Sequence, residues 1–481
     1  MAEAIAPPRR VLIDKSGPAI DSENAGQKPP VLLSRVQSRK SPAHTMRARY
    51  CLVIFLLLQG SPASEADWPE YRGPWQNGHV SPPGNSKTVG LPIKWSEREN
   101  VKWKTAIPHS GWSTPVVLGG QIWLTTATED GKEFFAICVD ADSGKIRFNE
   151  KLFHCDAPEP LGNKVNGYAS PSPVVEPGRV YLHFGSYGTA CLDTTNFKVI
   201  WKRNDLPCRH FRGPGSSPVL FQNLLILTMD GIDVQYLVAL DKQTGKTVWK
   251  TNRTTDWNDL DAGGKPAGEG DFRKAYTTPI FIETGGVSQM ISAGSKAAYS
   301  YDPATGTELW KVGTSGYSTA GRPVFGKGLV FFSTGFGKTE YLAVRSDGRG
   351  DVTDSRVVWR TTRGVPKLPS PVLVDDLLFL LADNGVMRCV EAATGNEVWQ
   401  ERILGECFAS LIYGDGHIYG FDQNGKGVVL KAGPSLEILA TNKLDDGFMA
   451  SPCVFGKALI LRTKKNLYRI EEGQSSAASA K

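Results

Sequence analysis

Short apolar runs separated by turn residues recur along most of the chain. Residues 328–332 and 377–381 are examples, and Gly, Pro, Asp and Thr stand between such runs. Apolar runs of this length that are bounded by turn residues are typical of buried β-strands. The pattern therefore predicts an all-β protein with many short strands.

A turn motif, Asp-x-x-Thr-Gly-x-x-x-Trp, repeats between these runs. Acidic and Thr side chains can bond to the backbone of a tight turn, and Gly supplies its positive φ. The motif therefore predicts a hairpin whose aromatic residue begins the next strand. Its copies occupy residues 142–148, 241–249, 302–310 and 391–399, with weaker copies that end at Trp201 and Trp359.

A second motif, in which Pro precedes an apolar residue, stands some tens of residues before each turn. Pro lacks a backbone N–H and is tolerated at the first residue of a strand. With the apolar runs between the two motifs, each repeat provides four strands. The copies carry Pro115, Pro173, Pro218, Pro279, Pro323, Pro371 and Pro452.

The aromatic markers recur at intervals of 39 to 61 residues, close to the length of a propeller blade. They are Trp103, Phe148, Trp201, Trp249, Trp310, Trp359 and Trp399, with Ile438 as a degenerate eighth. Trp103 has no preceding strands of its own, and the last copy lacks an outer strand, so the two ends together complete one blade. The prediction is an eight-bladed β-propeller with four antiparallel strands per blade, with seven blades as the alternative. A β-sandwich fits the strand number but not the repeated markers.

The N-terminal part of the chain has a different character. Residues 1–45 have no apolar periodicity and are predicted to be disordered, or to precede the true translation start at Met46. Residues 46–66 resemble a signal peptide, with Arg47 and Arg49 before a short apolar run. The remaining boundaries are a lead-in segment at 67–99, the propeller at 100–470 and a disordered tail at 471–481.

Charge and cysteine usage exclude several classes of protein. Most of the net charge of +6 lies in the first 66 residues, so the rest is close to neutral and offers no basic stripe for nucleic acid. No apolar run outside the predicted leader reaches the length of a membrane span. The eight cysteines include no Cys-x-x-Cys, which excludes c-type haem attachment and ribbon-type zinc.

On these motifs the chain resembles the pyrroloquinoline-quinone-like (PQQ-like) propeller repeat family over residues 68–470. The opening Trp-Pro-Glu-Tyr-Arg-Gly-Pro at residues 68–74, with Gly78, resembles the lead-in of secreted bacterial BamB-like members. The resemblance implies the fold strongly and the activity weakly, because this fold hosts unrelated functions.

Two branches of that family give the two functional hypotheses. The first is a non-catalytic protein- or ligand-binding scaffold in the periplasm, without a cofactor, of the kind that assembles outer-membrane β-barrels. The alternative is a quinoprotein alcohol or sugar dehydrogenase with PQQ and calcium. Many of those enzymes have adjacent cysteines and long insertions, which this chain lacks. Ser61 stands where a lipid-modified cysteine would be expected. The scaffold is therefore preferred.

Binding residues are expected where each outer strand connects to the next blade, because these connections open onto one face near the axis. The residues there could stack a ligand or anchor a partner side chain. An equally good explanation is that the aromatic rings pack one blade against the next. The candidates are Trp112, Tyr168, Phe211, Arg212, Lys274, Tyr276, Tyr317, Arg322, Phe408 and Phe448.

Metal-ligand residue types occur in the same connections. Such side chains bind zinc or copper when three or four of them converge. The favoured explanation is that they are separate loop residues or one disulfide pair. The candidates are His109, His154, Cys155, Cys208, His210 and Cys407.

An insertion at residues 252–275 is rich in Asp and Gly. It lacks the order of an EF-hand loop, so a solvated excursion is favoured over a lid or a calcium loop. A glycine-rich stretch at 335–339 resembles a phosphate-binding loop but has Phe332 in place of its first glycine.

Overall fold

The computed structural model describes residues 67–82, 84–85, 88–162 and 165–475. The predicted extension at 1–45, the predicted signal peptide at 46–66 and the end of the predicted tail at 476–481 lie outside the described residues. Within the described part of the chain, no helix has the length and hydropathy needed to cross a membrane.

Eight antiparallel four-stranded sheets form the blades of a propeller. Each blade runs from a three- to five-residue inner strand to an outer strand that carries the aromatic marker. Blade 1 consists of β2 (Val116–Leu118), β3 (Gln121–Ala127), β4 (Glu133–Asp140) and β5 (Ile146–His154). Blade 2 consists of β6 (Val174–Glu176), β7 (Arg179–His183), β8 (Thr189–Asp193) and β9 (Val199–Arg203), and blade 3 of β10 (Val219–Phe221), β11 (Leu224–Asp230), β12 (Gln235–Asp241) and β13 (Thr247–Asn252). Blade 4 consists of β14 (Ile280–Thr284), β15 (Val287–Ala293), β16 (Ala297–Tyr301) and β17 (Glu308–Gly313).

The second half of the ring repeats this arrangement. Blade 5 consists of β19 (Val324–Gly326), β20 (Leu329–Ser333), β22 (Tyr341–Arg345) and β24 (Val357–Thr361). Blade 6 consists of β25 (Val372–Val374), β26 (Leu377–Leu381), β27 (Val386–Glu391) and β28 (Glu397–Arg402). Blade 7 consists of β29 (Ile412–Gly414), β30 (His417–Phe421), β31 (Lys426–Lys431) and β32 (Ile438–Lys443). Short additional elements are η1 (Ala267–Gly270), β18 (Gly316–Tyr317), β21 (Phe336–Gly337) and β23 (Gly350–Asp351).

Blade 8 contains strands from both ends of the described chain. It consists of β33 (Cys453–Phe455), β34 (Ala458–Arg462), β35 (Asn466–Ser475) and, as its outer strand, β1 (Glu99–Ala106). The pairing runs from Ala106 opposite Asn466 to Glu99 opposite Ser475. This closure confirms eight blades rather than seven. Strand β35 continues five residues beyond the predicted end of the propeller at 470.

The repeated turn has the predicted chemistry. In blade 3, the Asp241 carboxylate accepts hydrogen bonds from the Thr244 N–H and hydroxyl, both at 2.8 Å. One assignment was wrong: in blade 1 the turn acid is Asp140, which accepts the corresponding bonds from Ser143. Asp142 instead forms an ion pair with Arg469 at 2.8 Å. The sequence pattern was shifted by two residues because both positions carry Asp.

The turn glycine gives the aromatic marker a place to dock. At four joints the Trp ring lies against the turn glycine of the next blade, and a Cβ added at Gly306 would lie 2.6 Å from the Trp249 ring. The same approach occurs between Trp103 and Gly144, Trp201 and Gly245, and Trp359 and Gly395, at 2.6 to 2.7 Å. Several of the indole N–H groups, such as that of Trp359, also donate to a carbonyl of that turn. The motif therefore joins neighbouring blades.

Four joints depart from this arrangement. Between blades 1 and 2, Phe148 stacks on Phe197, which takes the glycine position at φ 62°. In blade 4, Trp310 is fully buried because β23 pairs alongside it. Between blades 6 and 7, the Trp399 N–H donates to the Gly433 carbonyl at 3.3 Å, but a Cβ added at Gly433 would meet nothing within 4 Å.

The joint between blades 7 and 8 has no aromatic marker. Ala440 pairs with Val429 as Trp399 pairs with Cys389, so Ala440 holds the marker position. The predicted marker Ile438 was wrong by two residues, and its side chain is 47% exposed.

The lead-in segment covers this weak joint between blades 7 and 8. The Asp415 carboxylate of blade 7 accepts backbone N–H bonds from Val89, Gly90 and Leu91 at 2.6 to 2.8 Å. Further along the segment, Glu97 accepts from the Tyr468 hydroxyl of blade 8 at 2.9 Å. The lead-in therefore replaces the missing aromatic contact.

Candidate functional site

A cavity of about 370 Å³ lies on the propeller axis. Its wall comes mainly from the connections between each outer strand and the next inner strand. We call this cavity the axial funnel. It is lined by Tyr71, Trp112, Thr114, Val165, Asn166, Ser170, Ser172, Arg212, Gly215, Ser217, Asp271, Lys274, Tyr276, Thr278, Tyr317, Ser318, Ala320, Phe336, Leu368, Phe408, Met449 and Ser451.

A ring of hydroxyl groups surrounds the axis at the start of the inner strands. The Ser172 hydroxyl oxygen accepts the Thr114 N–H of the preceding blade at 2.8 Å, and the Ser217 hydroxyl accepts the Ser172 N–H at 2.9 Å. The same bond is made by the hydroxyls of Thr278, Ser370, Ser410 and Ser451. The Ser/Thr-Pro motif therefore links blades by side chain to backbone bonds.

Arginines replace this bond at the two remaining joints. Arg322 occupies the hydroxyl position of blade 5, and its guanidinium donates back to the Pro279 carbonyl at 2.7 and 2.9 Å. At the joint between blades 8 and 1, Arg462 donates to the Ser113 carbonyl at 2.9 Å. Both arginines are buried. Each therefore has a structural role between blades.

Tyr71 of the lead-in reaches the hydroxyl ring. Its phenol lies 3.0 Å from the Ser410 hydroxyl and 3.3 Å from the Ser370 hydroxyl, and its carbonyl accepts from Arg322. The lead-in is held beside it by Glu70, which pairs with Arg322 at 3.2 Å. Tyr71 therefore closes part of the ring and lines the funnel there.

Three charged side chains stand together on the wall formed by blades 3 and 4. The Asp271 carboxylate accepts from Lys274 and, at 3.2 Å, from Arg212. Burial alone would raise the pKa of Asp271, but these two cations outweigh burial and leave its pKa lowered. The Lys274 side chain is 1% exposed, and burial lowers its pKa. Two cations share one carboxylate, so this wall carries one net positive charge.

Asp271 and Lys274 belong to the insertion at 252–275. An ion pair between Asp259 and Arg273 fixes it, and the Lys274 ammonium also donates to the Asp271 carbonyl at 2.6 Å. The favoured prediction of a solvated excursion is therefore incomplete, because the end of the insertion forms a wall of the funnel.

Two polar atoms at the funnel wall are buried without a hydrogen-bond partner among the described residues. They are the Tyr276 hydroxyl and the Trp112 indole N–H. Burial raises the pKa of Tyr276, so its phenol stays protonated. Buried polar atoms normally have a partner, so these two atoms are exceptions within the packed wall behind the funnel surface.

The aromatic side of the funnel begins next to the charged wall, where the Tyr317 ring lies edge-on to Phe272 at 4.9 Å. Strands β18 and β21 pair Tyr317 with Phe336 at the rim. Gly335 and Gly337 have positive φ, and each is in close contact with Tyr317 or its neighbour. The glycine-rich stretch that resembles a phosphate-binding loop therefore presents an aromatic ring. Phe408 and Met449 continue this surface.

Six of the predicted funnel residues line the cavity: Trp112, Arg212, Lys274, Tyr276, Tyr317 and Phe408. Three others lie elsewhere. Tyr168 packs against Tyr187 and donates to the Glu159 carbonyl, Phe448 packs edge-on against Phe421 in the core, and Arg322 lies in the blade joint. Phe211 stands behind Arg212, with the guanidinium 5.3 Å from its ring centre.

The predicted metal ligands do not converge. His109 stacks on Phe135, His154 pairs with the Asp156 carboxylate, and the Cys407 thiol contacts the Gly405 carbonyl. Cys208 and His210 alone lie together, 3.7 Å apart, while Cys155 is a separate free thiol. Among the described residues, no three His, Cys, Asp or Glu side chains could share a metal ion. In the described structure these side chains lie at separate positions in the connections and the core.

The wall does not fit a quinone bound through a calcium ion. Calcium needs six to eight oxygen ligands, several of them carboxylates. Asp271 is the one carboxylate among the described lining residues, and it is already paired with two cations. The sequence also has no adjacent cysteines to stack on a quinone.

Several lining residues were not predicted. Tyr71 and Phe336 come from elements that approach the axis only in three dimensions, and Asn166 belongs to an irregular loop. Ser410 belongs to the hydroxyl ring rather than to the cavity lining and was also not predicted, because it lacks the following Pro of its motif, but it lies 40 residues after Ser370 and 41 before Ser451. That spacing was the signal that could have identified it.

Comparisons with known proteins agree with this architecture. A family model described as outer membrane protein assembly factor BamB matches residues 95–267 and 295–433. No curated protein matches the sequence significantly.

Solved structures with the same fold come from both branches of the propeller family. BamB from Moraxella catarrhalis is 10% identical with a TM-score of 0.53, covering 78% of this chain and 98% of that one. The quinohemoprotein alcohol dehydrogenase from Comamonas testosteroni is 12% identical with a TM-score of 0.62, covering 87% and 83%. A europium-containing methanol dehydrogenase is 11% identical with a TM-score of 0.61, covering 82% and 89%. At these identities the likeness concerns the fold alone.

Proposed function

The chain belongs to the PQQ-like propeller family whose model is described as outer membrane protein assembly factor BamB, and from that premise we propose that it is a non-catalytic binding module. It takes a protein partner or a ligand at the axial funnel and acts as an assembly scaffold. Its place of action is the periplasm or another extracytoplasmic space, in keeping with the signal-like segment at 46–66.

One observation carries this proposal: the reactive groups of the funnel are already engaged in holding the wall together. Asp271 is bound by both Lys274 and Arg212, so it is a poor general base. The hydroxyl oxygens of Ser172 and Ser217 accept inter-blade N–H bonds that fix their orientation. A nucleophilic hydroxyl needs a neighbouring base that takes its proton, and neither hydroxyl is bonded to a carboxylate or a His ring among the described residues. The funnel is better suited to binding than to turnover.

The aromatic part of the wall supports binding of a side chain or a compact ligand. Trp112, Tyr317 and Phe408 offer large rigid surfaces that lose little conformational entropy on binding. Such residues commonly dominate the energy of interfaces.

Two aromatic truncations test the binding proposal. We expect Trp112→Ala and Tyr317→Ala to weaken capture of the partner at least tenfold in a pull-down from an extracytoplasmic extract, with little change in melting temperature. Trp75→Ala is the matched control, because Trp75 is 41% exposed on the lead-in and lies outside the funnel lining. Loss of stability with unchanged capture would instead identify the two rings as packing between blades.

A second assay tests the alternative dehydrogenase function. The pure protein is incubated with pyrroloquinoline quinone and calcium, and dye reduction is followed over a panel of alcohols and sugars. We expect no turnover above the quinone-only control. Turnover that Asp271→Asn abolishes would overturn the scaffold proposal.

A further inference from the structure

The polar groups of the axial funnel are the hydroxyl ring and the charged wall. Each ring hydroxyl accepts one N–H from the neighbouring blade, which leaves its proton and one lone pair for other contacts. The hydroxyls can therefore bond to the polar part of a ligand, but they do not decide its charge.

The charged wall adds a preference for negative charge. Lys274 and Arg212 face a single carboxylate, and the Arg212 guanidinium is 30% exposed on its side-chain surface. Both cations lie beside the Phe211 ring, at 5.3 and 5.8 Å. A concave wall of low polarity strengthens the field of the remaining positive charge.

Asp271 is the present partner of these cations. It comes from the insertion at 252–275 rather than from a blade strand, and its carboxylate oxygens take one bond from each cation. An incoming carboxylate would find the same two donors. Asp271 therefore competes with an acidic ligand for the Lys274 and Arg212 donors.

The remaining wall defines the other end of the ligand. Tyr317, Phe336, Phe408 and Met449 line the same cavity, whose volume of about 370 Å³ admits a compact apolar body. A small inorganic anion would leave these surfaces uncovered. The ligand must combine an acidic group with an apolar part.

We propose that the axial funnel binds an organic carboxylate with an apolar body, whose carboxylate lies at Lys274 and Arg212 and whose body packs against the aromatic side. The inference rests on the proposed binding function and names its chemical class. The carboxylate belongs either to a free small acid or to the end of a partner's peptide chain.

Calorimetry with matched probes tests the charge requirement. We expect 2-naphthoate to bind at least tenfold more tightly than 2-naphthamide, which has the same shape without the charge. Lys274→Met should remove that preference, while Lys327→Met, at an exposed hairpin position, should keep it. Equal affinities for the acid and the amide, or no binding of either, would overturn the proposal.

The competing carboxylate and the source of the ligand are tested separately. Asp271→Asn should tighten naphthoate binding about fivefold, and Arg212→Gln should weaken it if Asp271→Asn does not fold. The peptide Gly-Gly-Trp is compared with its C-terminal amide. Binding of naphthoate alone assigns a small acid, and stronger binding of the free peptide assigns a chain terminus. If neither acid binds while Trp112→Ala still abolishes partner capture, the carboxylate proposal fails and the scaffold function stands.

Discussion

At the scale of single residues, the contact between Trp and the turn glycine explains why the motif requires both. Gly306 has φ 73° and leaves no room for a Cβ beneath Trp249. Glycine therefore meets a conformational and a steric need at the same position. The Phe148 and Phe197 pair shows the alternative, in which two rings stack instead.

Replacement of Gly306 by Ala should destabilise the propeller by about 2–4 kcal/mol, since a positive φ and a clash with Trp249 act together. The control is Gly328→Ala, which has the same φ of 73° but nothing within 4 Å of the added Cβ. That change should cost about 1 kcal/mol. Denaturant unfolding measures both, and equal losses would show that the docking contact contributes nothing.

His210 gives a prediction for acid pH. Its Nε2 accepts the Ser186 N–H at 3.2 Å, and burial lowers its pKa to about 4. Between roughly pH 6.5 and 4 the unfolded chain binds this proton and the folded chain does not, so stability falls as the pH falls. His210→Gln should reduce the slope by up to about 1.4 kcal/mol per pH unit. Unfolding free energies at pH 7, 5.5 and 4.5 check this, and an unchanged slope would contradict it.

At the scale of elements, the lead-in acts as a clamp across one joint. Asp415 holds three consecutive N–H groups of the segment, and Trp95 donates its backbone N–H to the Asn442 side chain at 2.9 Å. These contacts lie at the joint where Ala440 replaces the aromatic marker. The segment supplies by hydrogen bonds what the repeat lacks.

Asp415→Ala should lower the free energy of unfolding by about 2 kcal/mol, since two partly buried donors and one exposed donor lose their acceptor. The lead-in should also become more sensitive to limited proteolysis. Asp375→Ala is the control, because Asp375 holds the same hairpin position in blade 6, with φ 53° against 57° for Asp415. Thermal unfolding and proteolysis compare the two variants, and equal effects would contradict the role of the lead-in as a clamp on this joint.

The sequence was informative where structure repeats and uninformative where it does not. Turn motifs and aromatic spacing identified all eight blades because each copy meets the same local requirement. The position of Tyr71 and Asp271 at the funnel depends on segments that no repeat constrains. Tyr168 was misplaced because an irregular loop turns its side chain toward Tyr187.

At the scale of the whole molecule, ring closure depends on β1. This strand covers the outer edge of β35 and carries Trp103 to the first turn of blade 1. In a closed ring every blade has a neighbouring blade on both sides, so no face of a blade is left uncovered. The chain must therefore reach its last residues before its first strand can pair.

A chain that starts at Ile107 should fail to form a stable monomer, because β35 loses its partner and the joint to blade 1 loses Trp103. Size-exclusion chromatography and circular dichroism are expected to show aggregated or unfolded protein. Attaching residues 67–106 after Ser475 through a flexible linker should restore the monomer, since Glu99 lies opposite Ser475. A folded Ile107 chain would contradict this account of closure.

The contacts between blades have a consequence for evolution by duplication of a repeat. Each repeat carries one half of two contacts, a hydroxyl toward one neighbour and an aromatic ring toward the other. A duplicated gene segment would therefore arrive with both halves of its own connections. The hydroxyl contact is missing at Arg322 and the aromatic contact is missing at Ala440, and the lead-in forms bonds beside both of these joints through Glu70 and Glu97.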